Sequence, residues 1–480
     1  MDPSFEGYVN GTLCSPYTNR TDACPFGNVP NYVVNATTSE TISKAVKFAS
    51  KHNLRLVVKN TGHEFRGKST ARGALSVWVH HMKNIKLDDG FKVEGCKNLR
   101  GVTAVTAEAG VQWNELYKAV NTKGWAVVGG QDATVGAVGG YLQGGGHSAL
   151  GPFKGLASDH VLEINVVTAN GKHLTTNECQ NSDLFWALRG GGGGTFGIVT
   201  SATLATFPSP PQVVGFFNIS ATNNADFKRF IHGLIAEFPK LDNAGWAGYL
   251  YYTGNNNLFA LLNLANGTME TAIPSLSFFT TYNHTNANTT VKIEPGIFPV
   301  PTFYDYFNIT FPDTAHFKNA AGVTGPDNEP APTEPTEDLK SYSRLIPRKL
   351  FETDPARIAD AFIKMKTPAT TIIMHLVAGK GSAKFDPDRT AAHPAWRKTL
   401  LHVVVAAGKD GVPLFDLVKD DPAAYLNEAD PGEDIWKQLF WGTHYGRLTK
   451  IKKKYDPEGL FVCKGCVGSD EWSADGNCKA

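Results

Sequence analysis

The chain has 480 residues, of which 42% are hydrophobic and 19% charged, with a formal net charge of +1. That length suggests two or three domains, and the composition is that of a globular protein. The near-neutral balance offers no electrostatic case for nucleic acid or an anionic membrane, and no run of about 18 apolar residues marks a membrane span.

Residues 1–30 form a loop-rich start with many Asn, Thr, Pro and Cys residues, and they lack the apolar core of a signal peptide. Thr37-Thr38-Ser39-Glu40 fits a capping box, and Ile42, Ala45, Val46 and Ala49 follow at helical spacing. Leu54–Val58 reads as a strand, and the turn from Lys59 to Gly67 follows it, carrying His63. A helix, a strand and a glycine turn make an α/β pattern. Gly73–Val79 and Val102–Gly110 read as strands, and Trp113–Lys123 as a helix. Val128–Ser148, VGGQDATVGAVGGYLQGGGHS, then holds eight glycines. So dense a cluster suggests backbone N–H groups wrapped around a ligand, with phosphate the natural candidate.

Val161–Ala169 is an apolar strand closed by the Asn170-Gly171 turn. Asp183–Arg189 is a short helix, five glycines follow, and a strand runs from Ile198 to Phe207. Gly192-Gly193-Gly194-Thr195-Phe196-Gly197 satisfies G-x-G-x-x-G, yet a helix precedes it and a strand follows. A Rossmann site needs the opposite order and a later acid, so an NAD site is rejected.

Pro208, Pro210 and Pro211 mark a boundary. Beyond it, a helix from Asn224 to Phe238 places Phe227, Phe230, Ile231, Leu234, Ile235 and Phe238 on one core-facing side. Trp246–Tyr252 and Leu258–Leu264 form a hairpin around Asn255-Asn256-Asn257. Asp354-Pro355 starts another helix, and Thr371–Ala378 and Leu400–Ala407 are strands. The stretch Asn319–Asp338 lacks periodicity and reads as a disordered surface loop or a lid. Lys450, Lys452, Lys453 and Lys454 read as a solvated helix face.

The seven cysteines leave at least one unpaired within the chain. Cys14 and Cys24 are close enough to bridge, and two of Cys463, Cys466 and Cys478 can pair. The C-x-x-C at Cys463–Cys466 has neither a thioredoxin-like context nor a second pair for zinc. No HExxH, P-loop or Ser-His-Asp signature stands out, so neither metal nor acyl-transfer chemistry is expected. Eight Asn-X-Ser/Thr sequons, at Asn10, Asn19, Asn35, Asn218, Asn266, Asn283, Asn288 and Asn308, suggest a secreted glycoprotein whose signal was removed. So many N-glycans would crowd an interface, and a monomer is expected.

Four blocks carry a family resemblance, in order along the chain: Val57–Gly67 (VVKNTGHEFRG), Val128–Ser148, Leu184–Val199 (LFWALRGGGGGTFGIV) and Tyr445–Trp472. They resemble the vanillyl-alcohol oxidase/p-cresol methylhydroxylase superfamily in its berberine bridge enzyme-like branch. Within that branch the chain looks most like secreted fungal oxidases of the isoamyl alcohol oxidase type. The resemblance is thinner between about 210 and 425. It implies an α+β fold with a two-part FAD-binding domain, 1–208 and 428–480. An inserted substrate domain, 209–427, would hold an antiparallel sheet backed by helices.

By the same resemblance His63 bonds to the 8α carbon of FAD. The flavin would be held further by Asn60, Thr61, Gly62, Gly67, Gly130, Asp132, Thr134, Gly136, Gly139, Gly140, Tyr141, Gly145, His147, Gly197 and Val199. Asp132 stands where many relatives carry a cysteine bonded to flavin C6, so attachment through His63 alone is expected, and bulky oligosaccharides become a less natural substrate. Asp132 is then either a base beside the ring or an acceptor for loop amides. Tyr141 either donates to the flavin, by the logic of an oxyanion hole, or packs on the loop. His147 lines the pocket or caps the loop.

Glu428 stands where carbohydrate oxidases tend to have tyrosine. It is either a catalytic base, its pKa raised by an apolar pocket, or an acid at a helix start. His375, on an apolar strand, is the other candidate base or else a satisfied core residue. Tyr445 would face the flavin from the returning helix, and His393 is structural. The expected activity is that of a secreted FAD-dependent oxidase. A base takes the proton of an alcohol or small secondary metabolite, hydride goes to the flavin, and dioxygen reoxidises it to give hydrogen peroxide. The alternatives are a flavin dehydrogenase or oxidative cyclisation enzyme of a biosynthetic pathway, and a secreted binding protein that keeps the fold.

Overall fold

The computed structural model describes residues 21, 29–64, 67–97, 100–254, 256–286, 288–310, 340–408, 411–430, 433–473 and 478–479. The expected Cys14–Cys24 bridge, the sequons at Asn10 and Asn19, most of the 1–30 start and the Asn319–Asp338 loop lie outside the described residues.

The first helix spans Ser39–Lys51 and buries Ile42, Ala45, Val46 and Ala49. Its cap differs from the expected box: Thr38 Oγ1 accepts from the Thr41 N–H at 3.1 Å, while Glu40 pairs with Lys44. The helix leads into Leu56–Lys59, one strand of a parallel three-stranded sheet ordered Tyr32–Asn35, Leu75–Trp78, Leu56–Lys59. Phe461 adds a parallel bridge to Leu56, which ties the C-terminal segment to this sheet. An antiparallel five-stranded sheet follows, in the order Ile85–Phe91, Val102–Glu108, Ile198–Ala205, Val161–Val167, His173–Thr176. A disulfide joins Cys96 to Cys179 in the loops beyond its two outer strands, and a second joins Cys463 to Cys466. Cys478 is exposed and outside any disulfide.

The inserted part is built on an antiparallel seven-stranded sheet. Its order is Val291–Val300, Gln212–Ala221, Asn257–Ala265, Trp246–Thr253, Thr371–Leu376, Thr399–Gly408, Lys340–Pro347. Alternation along the strands gives it two faces. Trp246, Leu250, Tyr252, Met374 and Val403 join the helices Asn224–Ala244 and Pro355–Met365 in one core. Tyr249, Tyr251 and Leu261 point the other way, into a core shared with Trp113, Tyr117 and Trp396. Since Tyr249 pairs with His375 and His375 with His402, both histidines lie on the face turned toward the part that carries the glycine segments. The architecture is the α+β arrangement expected.

Three details differ from expectation. The helix expected to stop at Phe238 runs on to Ala244 through Pro239 and ends on left-handed Gly245. Burial of Leu241 and of Asp242, which Arg348 and the Lys380 N–H engage, outweighs the hydrogen bond that proline removes. Strand Val291–Val300 escapes a sequence reading because it carries Pro295, Gly296 and Pro299, which a sheet tolerates only at an edge. Lys452 is not on a solvated face. Its buried ammonium donates to Asp456, Thr195 O and Phe461 O, pinning the last helix, Tyr445–Tyr455, to the third glycine segment.

Candidate active site

Three glycine segments meet at one long cavity, whose empty space is about 1310 Å³ out to its mouth. The first leaves strand Leu56–Lys59 as Asn60-Thr61-Gly62-His63, with Gly62 in the left-handed region at φ +85°. Asn60 is fixed by its Nδ2 donating to Ala109 O at 2.6 Å and by Trp78 Nε1 donating to its carbonyl at 2.9 Å. The second segment closes on that amide so tightly that a Cβ at Gly136 would lie 2.1 Å from Asn60 Nδ2. The third closes on the second in turn: a Cβ at Gly193 would lie 2.8 Å from Gly140 Cα. Glycine is required at these positions because backbone meets its neighbour where a side chain would begin. The order helix Ser182–Leu188, glycines, strand Ile198–Ala205 agrees with the rejection of a Rossmann site.

At the loop tip, His63 Nε2 lies 2.7 Å from Thr134 Oγ1. That hydroxyl and the Thr134 N–H both donate to Asp132 Oδ1, at 2.9 and 2.8 Å. With the threonine proton committed to Asp132, His63 must donate from Nε2, so its lone pair sits on Nδ1. Asp132 lies on the cavity wall as an acceptor for the loop amide and for this chain of bonds.

Of the residues expected at the site, Asn60, Thr61, Gly62, His63, Asp132, Gly136, Gly139, Gly140, Tyr141, Gly197, Val199 and Glu428 line the cavity. Gly67, Gly130, Thr134, Gly145, His147 and His375 do not. Thr134 touches His63, the Gly130 carbonyl accepts from Tyr117 Oη, and the other four stand away from the wall. The Tyr141 hydroxyl is spent on the His147 carbonyl at 2.5 Å, so it shapes the loop instead of offering a donor to the cavity. Tyr445 is off the wall as well and donates to Asp470. His393 is structural in geometry: Nδ1 accepts from Ala395 N–H and Nε2 faces Gln438 O. Residues the sequence reading passed over also line the wall, among them Lys68, Gln143, Tyr425 and Asn427. Asn427 binds the second glycine segment through Gly140 O at 2.9 Å and accepts from Lys68 Nζ at 3.3 Å.

Glu428 is the cavity's link to a buried cluster behind the wall. Its Oε1 lies 3.1 Å from His147 Nε2, and its Oε2 lies 3.8 and 3.7 Å from Nδ1 of His375 and His402. Burial pushes the Glu428 pKa up, but the three imidazoles outweigh it and hold the carboxyl well below its usual range. That direction is opposite to the rise expected from an apolar pocket, and the difference comes from the imidazoles, His147 foremost. Burial drives His375 down to about 3 and also holds His402 well below the ordinary imidazole value. His402, missed in the sequence, sits on an apolar strand at the position cross-paired with His375.

The wall fits a flavin dinucleotide. The glycine backbones leave a long trough, and the amide oxygens of Asn60 and Gln143 line it buried and without a hydrogen-bond partner. Lys68 adds a cation to the same wall. Fold and site thus define an FAD-dependent oxidoreductase. Residues 30–177 match the family described as FAD binding domain, and 424–464 the one described as berberine and berberine like. The chain is 40% identical to an uncharacterized FAD-linked oxidoreductase of Arthroderma benhamiae, over 95% of this chain and 80% of that one. It is 36% identical to the VAO-type flavoprotein oxidase VAO615 of Thermothelomyces thermophilus, over 99% and 82%. The crystal structure of the VAO-type flavoprotein MtVAO615 from Myceliophthora thermophila C1 superposes with a TM-score of 0.79 at 33% identity, covering 99% of this chain and 88% of that one. This chain belongs to the FAD-linked oxidoreductases of the vanillyl-alcohol oxidase family, in their berberine bridge-like branch.

Proposed function

We propose that the chain is a secreted oxidase of alcohols or small hydroxylated metabolites, carrying FAD bonded covalently through His63 alone. The observation that carries this reading is the single cavity that joins the His63–Thr134–Asp132 chain at one point of its wall to Glu428 at another. Bound FAD would supply a hydride acceptor that dioxygen reoxidises with release of hydrogen peroxide. His63 would attach it, since the relay keeps the nucleophilic lone pair on Nδ1 and passes positive charge toward Asp132. Glucooligosaccharide oxidase of Acremonium strictum carries a 6-S-cysteinyl as well as a histidyl bond, and Asp132 leaves this chain no cysteine for the first. Glu428, the member of its cluster that reaches the cavity, would face the hydroxyl end of the substrate and activate it. Asn427 and Lys68 orient the wall beside it. The relative described as a flavoprotein oxidase supports dioxygen as the acceptor.

The test is anaerobic mixing of the yellow protein with a panel of alcohols, sugars and phenolic alcohols while flavin absorbance is followed. Bleaching by an alcohol, reversed rapidly on admitting air with peroxide formed, is the expected result. Bleaching that air reverses only slowly would mark a dehydrogenase. No bleaching by any alcohol, with dithionite still effective, would overturn the alcohol reading.

A further inference from the structure

We propose that His147, His375, His402 and Glu428 form a binding site for one first-row divalent transition-metal ion at the inner wall of the cavity. The four come from four separate segments: the loop after the second glycine run, two neighbouring strands of the seven-stranded sheet, and the segment before the last helices. Their donor atoms all lie within 4.8 Å of one another. Three imidazoles and one carboxylate are a ligand set that suits zinc and its neighbours.

The distances favour an ion over a hydrogen-bonded cluster. His375 Nδ1, His402 Nδ1 and Glu428 Oε2 form a triangle with sides of 3.1, 3.7 and 3.8 Å. The point equidistant from its corners lies about 2.1 Å from each, the length of a zinc–nitrogen or zinc–oxygen bond. A proton placed between the two Nδ1 atoms would satisfy that pair but would leave the carboxylate oxygen beyond hydrogen-bond reach of both. An ion at the centre serves all three, and His147 Nε2, 3.1 Å from Glu428 Oε1, stands ready as the fourth ligand. Outer partners are in place too. Ser343 Oγ, 2.9 Å from His402 Nε2, is able to accept its proton and so leave the Nδ1 lone pair facing inward, the arrangement of outer partners of ligating histidines. A doubly charged ion also answers the charge of a carboxylate enclosed by three buried imidazoles.

Glu428 is the member of the set that reaches the cavity, so the ion would lie directly behind the wall against which the substrate oxygen rests. Tyr249 Oη, buried without a partner and with its ring 5.2 Å from that of His375, is a further oxygen-directed group at the same place. The ligand class is thus a divalent cation in a closed four-ligand site, and the substrate class an alcohol whose hydroxyl end would rest against the Glu428 carboxylate that the ion holds in place. The second half of this statement rests on the oxidase reading; ion binding does not.

The experiment is metal analysis of the flavin-loaded protein after incubation with Zn²⁺ and removal of free ion, with no substrate present. One zinc per chain is expected, and loading with Co²⁺ should add ligand-field bands to the red of the flavin absorption. Glu428→Gln, nearly isosteric, should weaken zinc retention about 100-fold or more. His402→Gln is the second variant, with flavin content checked in each. A wild-type chain that retains no zinc, or a flavin-replete Glu428→Gln that retains as much as wild type, would overturn the proposal. Zinc bound with no alcohol able to bleach the flavin would sink the oxidase reading and leave the site standing.

Discussion

At the residue scale, the chain His63–Thr134–Asp132 makes the sharpest forecast. Thr134→Val removes the hydroxyl that accepts from Nε2 and donates to Asp132, so His63 loses the partner that fixes its tautomer. The covalent attachment proposed for His63 should then slow about 100-fold, the usual size of a lost proton-transfer partner. Flavin fluorescence of the denatured polypeptide band, followed over time, measures it. Asp132→Asn keeps an acceptor oxygen and should slow it far less. A second forecast concerns acid. Burial holds His393 down to about 4, and its Nδ1 accepts from the Ala395 N–H in the folded chain. The folded pKa lies below the unfolded value of about 6.5. As pH falls from 6.5 to 4 the unfolded chain therefore binds a proton that the folded one refuses, and about 3 kcal/mol of stability drains away over that window. Urea unfolding at pH 7 and pH 4 should show a smaller loss for His393→Asn than for wild type. His63 was legible because the Asn60-Thr61-Gly62 motif that marks it is contiguous with it, although its partner Thr134 lies 71 residues further on. The depressed carboxyl of Glu428 was not, because the imidazoles responsible lie 26 to 281 residues away.

At the element scale, what could be read was what is local. Helix faces, the hairpin of Trp246–Thr253 with Asn257–Ala265, and the inverted order around the third glycine run all follow from spacing. What could not be read was set by partners far along the chain: the edge strand Val291–Val300 with its prolines, the helix carried past Pro239, and the Cys96–Cys179 link across 83 residues. The join between the two parts is of the same kind. Arg397, in the HPAWR segment of the inserted part, makes two parallel bonds of 2.8 and 2.7 Å to Asp159 of the nucleotide-binding part, and both side chains are buried. Asp159 Oδ2 also accepts from the Leu156 N–H, so the clamp fixes the chain just after the second glycine run. Arg397→Met should cost about 3–5 kcal/mol, because it leaves a buried carboxylate unpaired. The double variant with Asp159→Asn should recover part of that loss. A cycle of four denaturation curves tests this, and additive losses would show that the two groups act separately.

At the scale of the whole molecule, the seven-stranded sheet is the common wall: one face is sealed by helices, and the other presents His375 and His402 to the glycine loops. The remaining surface bears the sequons, and their positions sharpen the expectation of a glycosylated monomer. Asn35, Asn266, Asn283, Asn288 and Asn308 are exposed, the first on an edge strand of the parallel sheet and the rest around the inserted part. Asn218 differs. It lies within a strand flanked on both sides, paired with Phe259 and Glu294, and is half-buried. A glycan needs an asparagine that reaches past its neighbours, so a secreting host should modify the five exposed sites and leave Asn218 largely bare. Peptide mapping after enzymatic deglycosylation reads this directly, because each released glycan converts Asn to Asp. Sugars at the exposed sequons of both parts would leave little continuous surface for the roughly 800 Å² per partner of a standard interface. The glycosylated chain should therefore sediment as a species holding one 51.9 kDa polypeptide. Full occupancy at Asn218 would mean that this strand is more open during secretion than in the folded sheet, and a dimer by sedimentation would remove the argument for a monomer.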